Sequence, residues 1–243
     1  METLMARLST LLIALPLMAT AACAQQSATE LSKAEIREIV REYIMEEPEL
    51  IEEALVAAEE RREMQILTDL NSEIYNDSRD VSMGPANAKV TIVEFFDYNC
   101  GYCKRSTEWL RTTVDKYPDD VRVIFKELPL LDRRTKTSRN ASLAALAAAR
   151  QGKYPVMHFS MMNEDNLAPE RVMALAKEAG LDVEMLKKDM EDDKLSAQIE
   201  DTFDLARQIP MLTGTPFFII NGEYIAGADV GQLDSALNKA LKS

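Results

Sequence analysis

The stretch Val90-Thr91-Ile92-Val93-Glu94-Phe95-Phe96-Asp97-Tyr98-Asn99-Cys100-Gly101-Tyr102-Cys103 decides the reading of this chain. Val90 to Phe96 is a β-branched and aromatic run, the pattern of a buried strand. Lys104 to Lys116 carries neither glycine nor proline and reads as a helix. A dithiol at that strand-to-helix junction places Cys100 on the helix N-terminus. There the unpaired N–H groups and the macrodipole stabilise a thiolate, which is the reactive form of cysteine. Two intervening residues let both sulfurs share one face within bonding reach. Zinc is poorly supported, because there is no second cysteine pair and His158 is the only histidine. The motif points to redox chemistry, with no metal ligand set and no cofactor.

Outward from the motif, Val121 to Lys126 is a second β-rich run. A long helical region follows over Arg134–Arg150, a short segment near His158, Pro169–Ala179, Val183–Glu191 and Lys194–Gln208. The chain closes with Phe217-Phe218-Ile219-Ile220, a turn at Asn221-Gly222, Tyr224-Ile225-Ala226, and an amphipathic helix over Val230–Leu241. Asn-Gly between two apolar runs is a strong hairpin signal. The order strand, helix, strand, helical block, hairpin, helix is an α/β, thioredoxin-like plan with a helical insertion at about 134–208. Residues 81–243 are expected to form this domain.

Upstream lies a different kind of segment. Leu31, Ile36, Ile39, Val40, Tyr43 and Ile44 repeat at helical spacing, with Ser32 and Glu35 as a capping box. Glu47-Pro48 interrupts the pattern, since the residue before proline avoids the helical region. A second helix is expected from about Pro48 to Tyr75. Its stretch Glu59-Glu60-Arg61-Arg62-Glu63 cannot face a globular core, and Leu55, Met64, Leu67, Leu70 and Ile74 leave only a narrow apolar stripe. Such a stripe suits helix–helix pairing, so residues 25–80 are expected to be an oligomerisation segment, pairing copies through residues 30–75. Asn76 to Ala88 reads as a linker or entry loop.

Residues 1–24 read as a secretory signal. Leu8 to Ala19 is an apolar core too short to span a bilayer. Ala22-Cys23-Ala24 fits cleavage before Gln25. The other reading makes Cys23 a lipidated first residue, but Thr20 stands where a larger apolar residue belongs. After cleavage at Ala24 both remaining cysteines are those of the motif, in an exported, periplasmic compartment where disulfides persist. The 243 residues carry a net charge of −13, which argues against nucleic acid and anionic membrane surfaces as partners.

From Glu94 through Cys103 the sequence resembles the DsbA-like thiol:disulfide oxidoreductases of the bacterial envelope, and Thr215-Pro216 fits the cis-proline loop of that family. With its N-terminal region, and with Phe125-Lys126-Glu127-Leu128-Pro129 and Gln151-Gly152-Lys153-Tyr154, the chain is similar to the suppressor-of-copper-sensitivity protein C group. The resemblance implies Cys100 as attacking thiolate and Cys103 as resolving thiol. Gly101 and Tyr102 would tune the dithiol, and Thr215 and Pro216 would bind substrate opposite it. Gly101-Tyr102 lacks the positive charge of the Pro-His pair in the strongest oxidants of the family, so weaker oxidation is expected.

Glu94 would be the buried acid that exchanges protons with Cys103. The alternative for Glu94 is a salt bridge to Lys126 on the next strand. Unfolded or misfolded proteins would be the substrates, with a membrane redox partner. Isomerase and oxidase share every one of these residues. A copper-binding role through the dithiol and nearby methionines is the reading from a different class, and a maturation factor for one dedicated client is a third. The blander expectations are His158 as a packing or capping residue and Trp109 as core. Met157, Met161, Met162, Met173, Met185 and Met190 are expected to be core or a peptide-binding face.

Overall fold

The computed structural model describes residues 31–243; residues 1–24, expected to be a secretory signal, and Cys23 within them lie outside. The chain divides into two units after Glu52.

In the first unit, helix α1 spans Lys33–Glu46. The capping box forms: the Ser32 hydroxyl accepts from the Glu35 N–H and the Glu35 carboxylate accepts from the Ser32 N–H at 2.8 Å. The helix stops at Glu47-Pro48, as proline geometry requires. Ile36, Ile39, Val40 and Tyr43 lie on one face and are 47–57% exposed. No residue of α1 is buried.

The division falls inside α2 (Glu49–Asp69), which α3 (Asn71–Tyr75) follows. The single helix expected to Tyr75 is therefore broken at Leu70, where ψ is 13°. No glycine or proline marks that break, so the periodicity runs through it. Leu67 and Ile74 are buried in the same cluster as Phe95 and Phe217. The second unit begins at Glu53, so it takes in residues 53–80, expected to belong to the N-terminal segment. The expected loop at 76–88 contains strand β1 (Val81–Met83). Three residues are too few for an alternation signal.

The remaining elements follow the expected order. They are β2 (Val90–Phe96), α4 (Gly101–Lys116), β3 (Val121–Glu127), α5 (Asp132–Thr135), α6 (Ser138–Arg150), α7 (Tyr154–Met162), α8 (Pro169–Glu178), α9 (Val183–Met190), α10 (Asp193–Arg207), β4 (Phe217–Ile220), β5 (Glu223–Ala226) and α11 (Val230–Lys242). The sheet order is β1-β3-β2-β4-β5, with β2 and β3 parallel and the other pairs antiparallel. At the β4–β5 turn Asn221 and Gly222 both have positive φ, 46° and 91°. That is what a two-residue hairpin loop of matching twist needs.

Alternation along β2 splits the core. Ile92 and Phe96 enter a cluster with α4, α6–α9 and α11, while Val93 and Phe95 enter one with Leu67, Ile74 and the end of α10. In α6, Ala141, Ala144, Ala145, Ala147 and Ala148 are fully buried. Such small side chains let α7, α8 and α9 pack closely around it. Met157, Met161 and Met162 are buried in this block, Met173 and Met190 pack against it, and Met185 is exposed.

Candidate functional site

The site sits where β2 ends and α4 begins. Asp97 turns the chain: its carboxylate accepts from the Asn99 N–H at 2.7 Å, the Leu131 N–H at 2.8 Å and the Ser138 hydroxyl at 2.8 Å. The Asn99 side chain donates to the hydroxyls of Thr137 and Ser138. These bonds tie the dithiol loop to α5 and α6. Neither Asp97 nor Asn99 stood out in the sequence, although an Asx turn two residues before a helix cap is a legible signal.

Cys100 is the N-cap residue of α4, with ψ 113° and no side-chain cap bond of its own. Its thiol donates to the Thr215 carbonyl at 3.1 Å. The Thr215-Pro216 bond is cis, so the two segments that the sequence placed opposite each other do meet.

The Cys100 thiol is lowered to about 5. A hydrogen bond from Cys103 is the largest cause; burial opposes it, and the Thr215 side chain and the amides of Cys103 and Tyr102 add to it. Cys103, fully buried, is pushed far up by burial and stays protonated. The two thiols thus differ in kind: one poised as a thiolate at the helix cap, one a protonated donor behind it.

Gly101 is exposed, and a Cβ there would meet no atom within 4 Å. Tyr102 is 59% exposed. The Arg105 guanidinium lies 4.1 Å from the centre of its ring, so the positive charge missing from the Gly-Tyr pair is present one turn along.

Glu94 is fully buried and neither carboxylate oxygen has a hydrogen-bond partner. The alternative pairing with Lys126 is overturned. Glu94 stands opposite Phe125 and Lys126 opposite Phe95, so alternation sends the two side chains to opposite faces of the sheet. Lys126 pairs with Asp80 and donates to the Glu73 carbonyl instead. Glu94 is pushed up to about 8, first by burial and then by the charges of Cys100 and Glu127.

Glu127 is the second buried acid on this face, and the sequence did not single it out. Its Oε1 accepts from the Tyr154 hydroxyl at 2.8 Å and the Tyr98 hydroxyl at 3.1 Å. His158 lies buried with Nδ1 3.1 Å from the Tyr98 hydroxyl and burial lowers it to about 3, so it is neutral and packed, as expected. Trp109 is core, and its indole N–H donates to Asp234 on α11 at 2.8 Å.

The geometry has counterparts. A family model described as Thioredoxin matches residues 76–239, and the chain belongs to that family. Within it the chain is DsbA-like and ScsC-like: a model described as Copper resistance protein ScsC N-terminal domain matches residues 33–65. A thioredoxin-like oxidoreductase from Silicibacter pomeroyi DSS-3 is 36% identical, with 71% of this chain and 98% of that chain covered and a TM-score of 0.65. The catalytic domain of Proteus mirabilis ScsC is 28% identical, covering 74% of this chain and 99% of that one, with a TM-score of 0.66. ScsC of the same organism in a transitional conformation is 27% identical over 87% of this chain and 99% of that one, with a TM-score of 0.65.

Among curated proteins, a Na(+)/H(+) antiporter NhaA of Salinispora tropica is 31% identical over 167 residues, which is 68% of this chain and 25% of that protein. The chain spans about a quarter of the length of the curated relatives it matches. Among the described residues, no helix is long and apolar enough to cross a membrane.

Proposed function

We propose that the protein is an exported thiol:disulfide oxidoreductase that rearranges or reduces disulfides in unfolded and misfolded proteins. The observation that carries this reading is the asymmetric dithiol: a Cys100 thiol lowered to about 5 at a helix cap, in front of a buried, protonated Cys103.

Cys100 thiolate attacks a substrate disulfide. A Cys100–substrate S–S bond forms, the substrate S–S bond breaks, and the leaving sulfur departs as a thiolate. Either a substrate thiolate then displaces Cys100, which completes an isomerisation, or Cys103 does. In the second case Cys103 gives its proton to Glu94, a Cys100–Cys103 disulfide forms, and the substrate is released reduced. Thr215 and the cis Pro216 present backbone beside Cys100 for an extended substrate segment, with Gly101 and Tyr102 lining the approach.

The uncovered face of α1 is where copies of the chain would associate, so that several dithiols surround one substrate. The observation favouring the second reading, a DsbA-type oxidase, is the same low Cys100 pKa. A stabilised thiolate stabilises the reduced dithiol and makes its disulfide more oxidising. An isomerase draws electrons from a membrane donor; an oxidase passes them to a membrane acceptor.

Refolding of a scrambled-disulfide protein in glutathione buffer separates the two. Residues 25–243 are compared with a chain starting at Glu53, which keeps Leu67, Ile74 and β1 in place. Activity in the long form alone supports the isomerase. Equal oxidation of a reduced substrate by both, with neither repairing the scrambled one, identifies an oxidase.

A further inference from the structure

We propose that Glu127, held by Tyr98, Tyr154 and His158, is a second proton-holding carboxyl behind the dithiol and determines when Glu94 is free to take the Cys103 proton. This rests on the reading of Glu94 given above and assigns Glu127 the part of a positioning residue, acting through Glu94.

The placement follows from register. Glu94 and Phe96 project to one face of β2, and Glu127 stands opposite Phe96 on the parallel strand β3. Both acids therefore enter the face that α4 and Cys103 cover. Both are buried at 0–2% exposure. Two carboxylates diagonally placed on one face of adjacent strands, in a dry interior, repel each other with little screening when both are ionised. The charge on each raises the cost of charging the other, so protonation of one releases the other. Glu127 in turn is pushed up by burial to about 8, with Tyr154, Ser142 and Tyr98 pulling it down.

The hydrogen bonds around Glu127 give it two settings. In one, ionised Glu127 accepts from both tyrosines at Oε1, and the Tyr98 hydroxyl accepts from Nδ1–H of neutral His158. In the other, protonated Glu127 donates to the Tyr98 oxygen, and Tyr98 turns its proton to a bare His158 Nδ1. A hydroxyl rotates and a neutral imidazole has two tautomers, so both settings use the same heavy atoms. Glu127 Oε2 and His158 Nε2 have no partner in this buried cluster.

The titratable groups facing Glu127 are Glu94 within β2, Asp97 and Tyr98 just after it, and Tyr154 and His158 on α7. Lys126 projects to the other face and is committed to Asp80. No cation on this face is paired with either glutamate among the described residues.

In the resolving step Cys103 loses its S–H proton to ionised Glu94, forms the S–S bond to Cys100, and the substrate leaves as a thiolate. Glu94 ionises at lower pH while Glu127 keeps its proton than after Glu127 has lost it.

The test is the pH profile of that step. A mixed disulfide between Cys100 of the full chain and a peptide thiol is formed, and peptide release is followed from pH 5 to 9. The expected profile rises as Glu94 ionises. Glu127→Gln keeps shape and hydrogen bonding but removes the competing charge. The rise then moves to lower pH by about one unit, so release below the wild-type midpoint speeds up about tenfold, with the high-pH plateau unchanged. Tyr154→Phe removes a donor that favours ionised Glu127 and moves the rise the same way by less, which serves if the glutamine variant folds poorly.

Glu94→Gln is the control for the underlying reading. If it leaves the rise untouched, Glu94 is not the acceptor and that reading fails. If it abolishes the rise while neither Glu127→Gln nor Tyr154→Phe moves it, or while they slow release equally at every pH, the role assigned to Glu127 is overturned.

Discussion

The Cys100 thiol donates to the carbonyl of Thr215 at 3.1 Å, across 115 residues of chain. That contact closes the site: a helix cap delivers the sulfur, and the loop before β4 delivers the backbone it faces. Its consequences can be measured.

Alkylation of Cys100 in the reduced protein is expected to follow a midpoint near pH 5 rather than the ordinary thiol range, because Cys103 and the helix amides favour the thiolate. A group with a depressed folded pKa adds stability that is full above its unfolded value and lost as pH falls through the folded one. The melting temperature of reduced protein relative to Cys100→Ser should therefore climb between about pH 5 and pH 9. A flat difference would mean the thiolate is not stabilised by the fold.

Glu94→Gln should raise stability at neutral pH while impairing release through Cys103. The folded carboxyl holds its proton to about 8, whereas the unfolded chain ionises near its ordinary value of 4.5. The raised folded pKa thus penalises the native state progressively above pH 4.5 and levels off above pH 8. Urea denaturation at pH 5 and pH 8 checks this. The variant's advantage should grow by about 3 kcal/mol between the two pH values, and a constant difference would sink it.

Lys126 and Asp80 form a buried pair, and burial keeps Asp80 raised to about 6 despite the lysine. Lys126→Met leaves that acid unpaired in the core and should cost about 3–5 kcal/mol. Adding Asp80→Leu should recover most of the loss. Equilibrium unfolding of the single and double variants gives the answer, and additive losses would show that the pair is not coupled.

Asp97→Ala removes three acceptor contacts at once and leaves the Asn99 and Leu131 amides and the Ser138 hydroxyl without it. A loss of about 2–4 kcal/mol is expected, together with a higher Cys100 midpoint as the loop that sets the helix cap loosens. Thermal melting and alkylation kinetics on the same sample test both halves.

The N-terminal helices are the simplest case for association. Ile39→Glu with Tyr43→Glu places charge on the uncovered face of α1, where neither residue touches a core. If copies associate through this face as proposed, sedimentation should show the variant smaller than the unmodified chain, with circular dichroism of the second unit unchanged. An unaltered assembly would rule this face out.

Much of this was legible beforehand. Strand β2, the helix behind Cys100, the hairpin at Asn221-Gly222 and the capping box at Ser32 each rest on short-range chemistry: alternation, a missing breaker, a turn residue that tolerates positive φ, a side chain reaching three residues on. Strand β1 and the break at Leu70 were not legible, because three strand residues and one distorted turn carry no periodic signal. What residues 53–80 pack against was not legible for a related reason. Their narrow stripe could pair with another helix or with a sheet, and only the burial of Leu67 and Ile74 beside Phe95 and Phe217 tells which.

The sequence by itself determined the dithiol, its place at a helix N-terminus and the acid in a strand, because these follow from neighbours in the chain. Tertiary structure alone decided what that acid faces. Register put Lys126 on the far side with Asp80 and brought Glu127 to the near side with Tyr98, Tyr154 and His158. A one-residue change of register exchanges the two faces of a strand, and long-range pairing, rather than local composition, chooses between them.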